Sequence, residues 1–108
     1  MAHVTGGGLA ANLARVLPQE VSVTVDRSTW TPAPVFDVVR RVGQLSQDDL
    51  ETTLNCGVGM VALVPADDVD WAIETLRRNG VRAWAAGEAT MDDAHGGEVL
   101  MTGEHPGW

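Results

Sequence analysis

The stretch His3-Val4-Thr5-Gly6-Gly7-Gly8-Leu9-Ala10-Ala11-Asn12-Leu13-Ala14-Arg15-Val16-Leu17-Pro18 decides the fold. Leu9, Leu13, Val16 and Leu17 recur at i, i+4, i+7 and i+8, which is one face of an α-helix. Pro18 ends that helix, because its ring blocks the preceding turn and restricts the residue before it. Ahead of the helix, three consecutive glycines form a turn whose backbone can take positive φ and approach a ligand closely. A glycine turn of this kind wants a strand upstream, and only Ala2-His3-Val4 can supply one. The chain is therefore expected to open inside a domain, short of its first full strand.

Outward from that stretch, Val21-Ser22-Val23-Thr24-Val25 alternates with period two and reads as a half-buried strand. Arg27 to Pro34 reads as an ordered loop, with Pro34 in the first turn of a second helix. Val35, Val38, Val39 and Val42 form the apolar stripe of that helix, and Gly43 suits its C′ position. Ser46 caps a third helix, with Asp48, Asp49 and Glu51 near its start and Leu50 and Leu54 as buried positions. Asn55-Cys56-Gly57 breaks it. Val58 to Val64 is a continuous apolar run and reads as a central strand covered on both faces. Asp67 opens a fourth helix through Asn79, with Val69, Ala72, Ile73 and Leu76 inward and Glu74 paired to Arg78. Residues 81–89 and 98–102 read as two more strands, joined across the solvated pair Asp92-Asp93. Trp30 and Trp84 read as core or core edge, with Trp71 partly exposed and Trp108 exposed. The order implies an α+β fold, a mixed β-sheet with helices packed on it.

Composition narrows the function. The 108 residues suit one domain spanning 1–108. Seven basic against 15 acidic residues give a net charge of −8, which argues against nucleic acid or an anionic membrane surface as a partner. All seven basic residues are Arg, so Schiff-base, Walker and general-base lysines are excluded. Cys56 is the single cysteine, so no intrachain disulfide forms and a reducing compartment is suitable. The N-terminus has no signal-peptide pattern, and no apolar run is long enough to span a bilayer. A cytoplasmic protein is expected.

Two segments can carry chemistry. The His3–Gly8 segment reads either as a cradle for a phosphate or carboxylate, with His3 and Thr5 adding hydrogen bonds, or as a plain turn. Asn55-Cys56-Gly57-Val58-Gly59-Met60 reads either as a place where a ligand approaches the backbone or as tight helix–strand packing. Nothing places a base beside Cys56, so it reads as a buried, inert thiol. His3, His95 and His105 show no metal-ligand spacing, and no metal site is expected within the chain.

Taken together, four segments resemble phosphoribosylformylglycinamidine cyclo-ligase, the aminoimidazole ribonucleotide synthetase family of purine biosynthesis. They are His3-Val4-Thr5-Gly6-Gly7-Gly8-Leu9, Asn12-Leu13-Ala14-Arg15-Val16-Leu17-Pro18, Trp30 with Val35-Phe36, and Thr53-Leu54-Asn55-Cys56-Gly57-Val58-Gly59-Met60. The resemblance covers about residues 2–89. Ala14 stands where the family has proline, Leu54 where it has phenylalanine, and Ala33 where it has proline. The resemblance implies the C-terminal, substrate-side domain of a two-domain homodimeric enzyme, with the N-terminal ATP-binding domain absent from this sequence. It implies ATP-dependent ring closure of formylglycinamidine ribonucleotide to aminoimidazole ribonucleotide, with release of ADP and phosphate. It implies His3 as the candidate catalytic residue. Thr5, Gly6, Gly7, Gly8, Arg15, Asn55, Gly57 and Gly59 become substrate-binding candidates. ATP and Mg2+ are expected to bind mainly to the absent domain, and the chain alone is expected to be inactive and prone to self-association. A related ATP-dependent superfamily member, or a stand-alone small-molecule-binding or interaction module, remains an alternative.

Overall fold

A computed structural model describes residues 1–92 and 94–108. Asp93 lies outside the described residues, so the solvated-turn reading applies to Asp92 alone. Its carboxylate accepts from the amides of Ala94 and His95, both at 3.1 Å.

Among the described residues the fold is α+β, with two sheets rather than one. Strand β1 (Ala2–His3) runs into the glycine turn and helix α1 (Gly8–Ala14). Then follow β2 (Val21–Asp26), α2 (Pro34–Val42), α3 (Gln47–Thr53), β3 (Met60–Val61), α4 (Val69–Arg78), β4 (Gly87–Met91) and β5 (Val99–Thr102). β1 pairs antiparallel with β3, Ala2 opposite Val61 and His3 opposite Met60. The second sheet has β2 at its centre, antiparallel to β4 and parallel to β5. The core lies between α1 and the inner face of this sheet, where Leu9, Leu13, Val23, Val25, Trp30 and Val58 are buried with Ala2 and Val4. Burying each Leu or Val side chain contributes about 1.5–3 kcal/mol.

Several elements differ from the sequence reading. Residues 58–64 do not form a central strand. Only Met60–Val61 is strand, and Met60 is 57% exposed. Gly57 turns at φ 93°, and Val58 enters the core from the turn that follows, so the apolar run begins as a plug. The strand expected over 81–89 starts at Gly87 and reaches Met91. Before it, the Asp26 amide donates to the Ala86 carbonyl at 2.8 Å. Trp84 packs beside the core and donates from Nε1 to Thr29 Oγ1. The fourth helix is preceded by a 3₁₀ turn over Ala66–Asp68, and Leu76 is exposed rather than inward. The valine stripe of α2 is uncovered, with Val42 80% exposed. Gly43 stays right-handed at the end of α2, and Gln44 takes the positive φ. Trp108 is half-buried, with the Arg40 guanidinium 4.9 Å over its ring.

Candidate functional site

The glycine turn is built by its neighbours. Gly7 sits at φ 99° and Gly8 at φ 83°, backbone positions that glycine takes without penalty. A Cβ on Gly8 would stand 1.6 Å from the Glu51 carbonyl oxygen. That close approach brings the start of α1 onto the end of α3. Leu50 is fully buried beneath, and Ser46 accepts the Asp49 amide at 3.1 Å to cap α3. Gly6 has no neighbour within 4 Å of a Cβ position, so its place at the tip is open to solvent.

The second glycine segment meets the first at its base. The Val4 amide donates to the Gly59 carbonyl at 2.9 Å. Asn55 Oδ1 accepts the Gly57 amide at 2.9 Å, a local turn that fixes the loop. The Trp30 indole donates to the Cys56 carbonyl at 3.1 Å. Pro32 and Phe36 lie 3.9 Å from where a Gly57 Cβ would be. The four segments that are far apart in sequence thus converge.

Three of them, at Gly7 and Leu9, at Trp30 and at Leu54-Asn55-Cys56, line an open cleft of about 520 Å3, to which Asn12–Pro18 contributes no lining residue. It is lined by Gly7 and α1, by α3 and Leu54-Asn55-Cys56, and by Arg27, Trp30 and Met101. Of the catalytic and substrate-binding candidates, Gly7 and Asn55 line this cleft. Thr5, Gly6 and Gly8 lie in the same turn. Gly57 and Gly59 shape the loop behind the wall. His3 is exposed on β1 beside Met60, and it is not among the lining residues. Arg15 stands next to Gly7, its Nη2 3.7 Å from a Gly7 Cβ position.

Two residues went unread in the sequence. Arg27 makes a two-pronged contact with Glu51, both bonds 2.8 Å, and donates to the Gly103 carbonyl at 3.1 Å. Glu51 holds the guanidinium and raises its pKa above the ordinary arginine value. Asn12 is buried under the turn. Its place at i+4 from Gly8 was the available signal, because a polar residue on the inner face of a helix needs partners.

The Cys56 thiol is pushed up to about 11 by burial first and by nearby Glu51 second, against a lowering influence from Arg27. It stays protonated at neutral pH and does not serve as a nucleophile. Among the described residues no group of three or more His, Cys, Asp or Glu could hold a metal ion. Both oxygens of Glu51 are occupied by Arg27, which leaves Asp48 as the other carboxylate of the cleft. These residues do not make a Mg2+ site. No described helix is long and apolar enough to cross a membrane.

Comparison with known proteins follows the same segments. A family model described as AIR synthase related protein, C-terminal domain, matches residues 1–99. A Streptomyces fradiae protein provisionally named phosphoribosylformylglycinamidine cyclo-ligase is 51% identical over 107 residues, covering 95% of this chain and 58% of that protein. Phosphoribosylformylglycinamidine cyclo-ligases of Nitrosococcus oceani and Symbiobacterium thermophilum are 42% and 39% identical, over 98% and 94% of this chain. The chain spans only 30% and 29% of those two relatives.

Proposed function

This chain belongs to the AIR synthase related protein family through its C-terminal domain, and from that premise we propose that it is the substrate-side part of an ATP-dependent cyclo-ligase. The reaction is closure of formylglycinamidine ribonucleotide to aminoimidazole ribonucleotide, with ADP and phosphate as the other products. The observation that carries this reading is that three segments far apart in sequence, at Gly7, Trp30 and Asn55, line one cleft.

In this proposal the chain binds and orients, and ATP with Mg2+ is held by residues outside it. The Thr5–Gly8 turn and Arg15 take the substrate's phosphate or amide end. Exposed amides and a guanidinium are hydrogen-bond donors, and donors fixed in place stabilise developing negative charge. His3 adds an imidazole that can donate or accept a hydrogen bond beside the turn. Asn55, Gly57 and Gly59 shape the wall against which the substrate rests. The working enzyme is a cytoplasmic homodimer, and the 108 residues by themselves turn over no substrate.

Turnover assays with formylglycinamidine ribonucleotide and ATP test this. The chain is supplied alone, and then with the N-terminal portion of the Nitrosococcus oceani relative. Aminoimidazole ribonucleotide and ADP are expected in equal amounts only from the combination, with kcat/KM lowered by His3→Ala. Equal activity without this chain would remove the proposal, and an unchanged kcat/KM would remove the role given to His3.

A further inference from the structure

Asn12 is the polar side chain on which the glycine turn converges, and it is 6% exposed. Its Nδ2 donates to the carbonyls of Gly8 at 2.7 Å and of Thr5 and Gly6 at 3.3 Å. Its Oδ1 accepts from Arg15 Nη1 at 3.0 Å and Thr5 Oγ1 at 3.3 Å. Three carbonyls on one side and two donors on the other fix which end is nitrogen.

A peptide unit is planar and trans, so its C=O and N–H point in opposite directions. Holding the Thr5 and Gly6 carbonyls against Asn12 therefore turns the Gly6 and Gly7 N–H groups outward. Among the described residues neither amide donates to an acceptor. The same carboxamide keeps the Arg15 guanidinium beside Gly7. Arg27, Arg40, Arg41 and Arg78 each pair with a carboxylate. Among the described residues Arg15, Arg77 and Arg82 pair with none, and of these three Arg15 is the one that stands beside the glycine turn. A guanidinium fixed on a backbone turn and left without a carboxylate is arranged for an anion from outside the chain.

We propose that Asn12 is a positioning residue, whose single buried carboxamide sets the Gly6 and Gly7 amides and Arg15 to receive a phosphate monoester of the substrate. The inference rests on the substrate-side reading above, and adds which group of the substrate the turn takes and which residue prepares it.

The test uses the ¹⁵N-labelled chain as wild type, Asn12→Ala, Arg15→Ala and the double variant. The heteronuclear NOE of Gly6–Gly8 is expected to fall in Asn12→Ala, while the Val23 and Val25 amides keep their shifts. An unchanged NOE in a folded Asn12→Ala overturns the proposal. Should that variant lose its fold, the wild-type Asn12 Nδ2 protons decide instead, since slow exchange is expected and exchange at the free-amide rate overturns. Ribose 5-phosphate is then titrated. Saturable shifts at Gly6, Gly7 and Arg15 Nε are expected, weakened at least tenfold by Asn12→Ala. The Arg15→Ala effect should shrink in the Asn12→Ala background, because residues acting through one another are not additive. Additive effects overturn the proposal, leaving Asn12 as a stability residue. Formylglycinamidine ribonucleotide that shifts the cleft but not Gly6 and Gly7 overturns it too, with the substrate-side reading intact. No binding of that ribonucleotide at the cleft removes the substrate-side reading itself, and the NOE comparison still decides whether Asn12 orders the turn.

Discussion

Helices α1 and α2 carry similar apolar spacing and meet opposite surroundings. In α1, Leu9 and Leu13 are buried, the latter completely. In α2, Val35, Val38, Val39 and Val42 are all exposed. Periodicity marks which face of a helix is apolar, and says nothing about what covers it. The cover of α1 is provided by Gly8, which lets the helix touch the Glu51 backbone, and by Asn12, which ties it to the turn. α2 is held at its other face by Arg40 over the Trp108 ring, with the guanidinium steadied by Asp37 of the same helix at 2.6 Å.

The contrast can be broken most forcefully on the α1 side. Gly8→Ala would drive a Cβ into backbone at a positive φ, a clash that no side chain can absorb. A loss of about 3 kcal/mol or more is expected from overpacking and strain, read as a fall in the urea midpoint. Leu13→Ala should remove about 2–5 kcal/mol by the same measurement. If either is neutral, α1 is not the anchored helix. At the junction of α1 and α3, Ser46→Ala should lower stability by about 1 kcal/mol, through loss of the cap on the Asp49 amide. On the α2 side, Val38→Ala and Val39→Ala should each change stability by less than about 0.5 kcal/mol. A larger loss would show that the stripe is covered in solution.

Cys56 reports on the anchored side through pH. Its folded pKa of about 11 lies above the ordinary value of about 8.5. Between the two, the folded state binds more protons than the unfolded one, so stability is fully present below about 8.5 and falls as pH rises toward the folded value. Alkylation of the native thiol at pH 8 should be much slower than that of free cysteine, because little thiolate forms and the sulfur is buried. Alkylation at the free rate would place Cys56 outside the packed region.

Much of the architecture was legible because local signals were strong. Val21–Asp26 alternates cleanly, and Ser46 caps α3 as its spacing implies. Residues 58–64 suggest a strand that does not form, because an apolar run looks alike whether it pairs in a sheet or plugs a core after a turn. Trp84 and its neighbours resemble a strand in composition, yet the ladder begins only where Asp26 meets Ala86. For the site, the glycines and Asn55 stand out as residue types. Arg27 does not, since its importance lies in a partner, Glu51, that lies far along the chain, and Asn12 shows only as a polar residue on an inner helix face, without the Thr5 and Gly6 carbonyls it holds.

The central claim is that the Thr5–Gly8 turn belongs to the substrate side of a shared active site. A ¹⁵N–¹H titration with formylglycinamidine ribonucleotide, followed by ATP with Mg2+, tests it most directly. The account predicts saturable shifts at Gly6 and Gly7 with the ribonucleotide and none there with ATP. Saturable shifts at those amides with ATP, and none with the ribonucleotide, would contradict it.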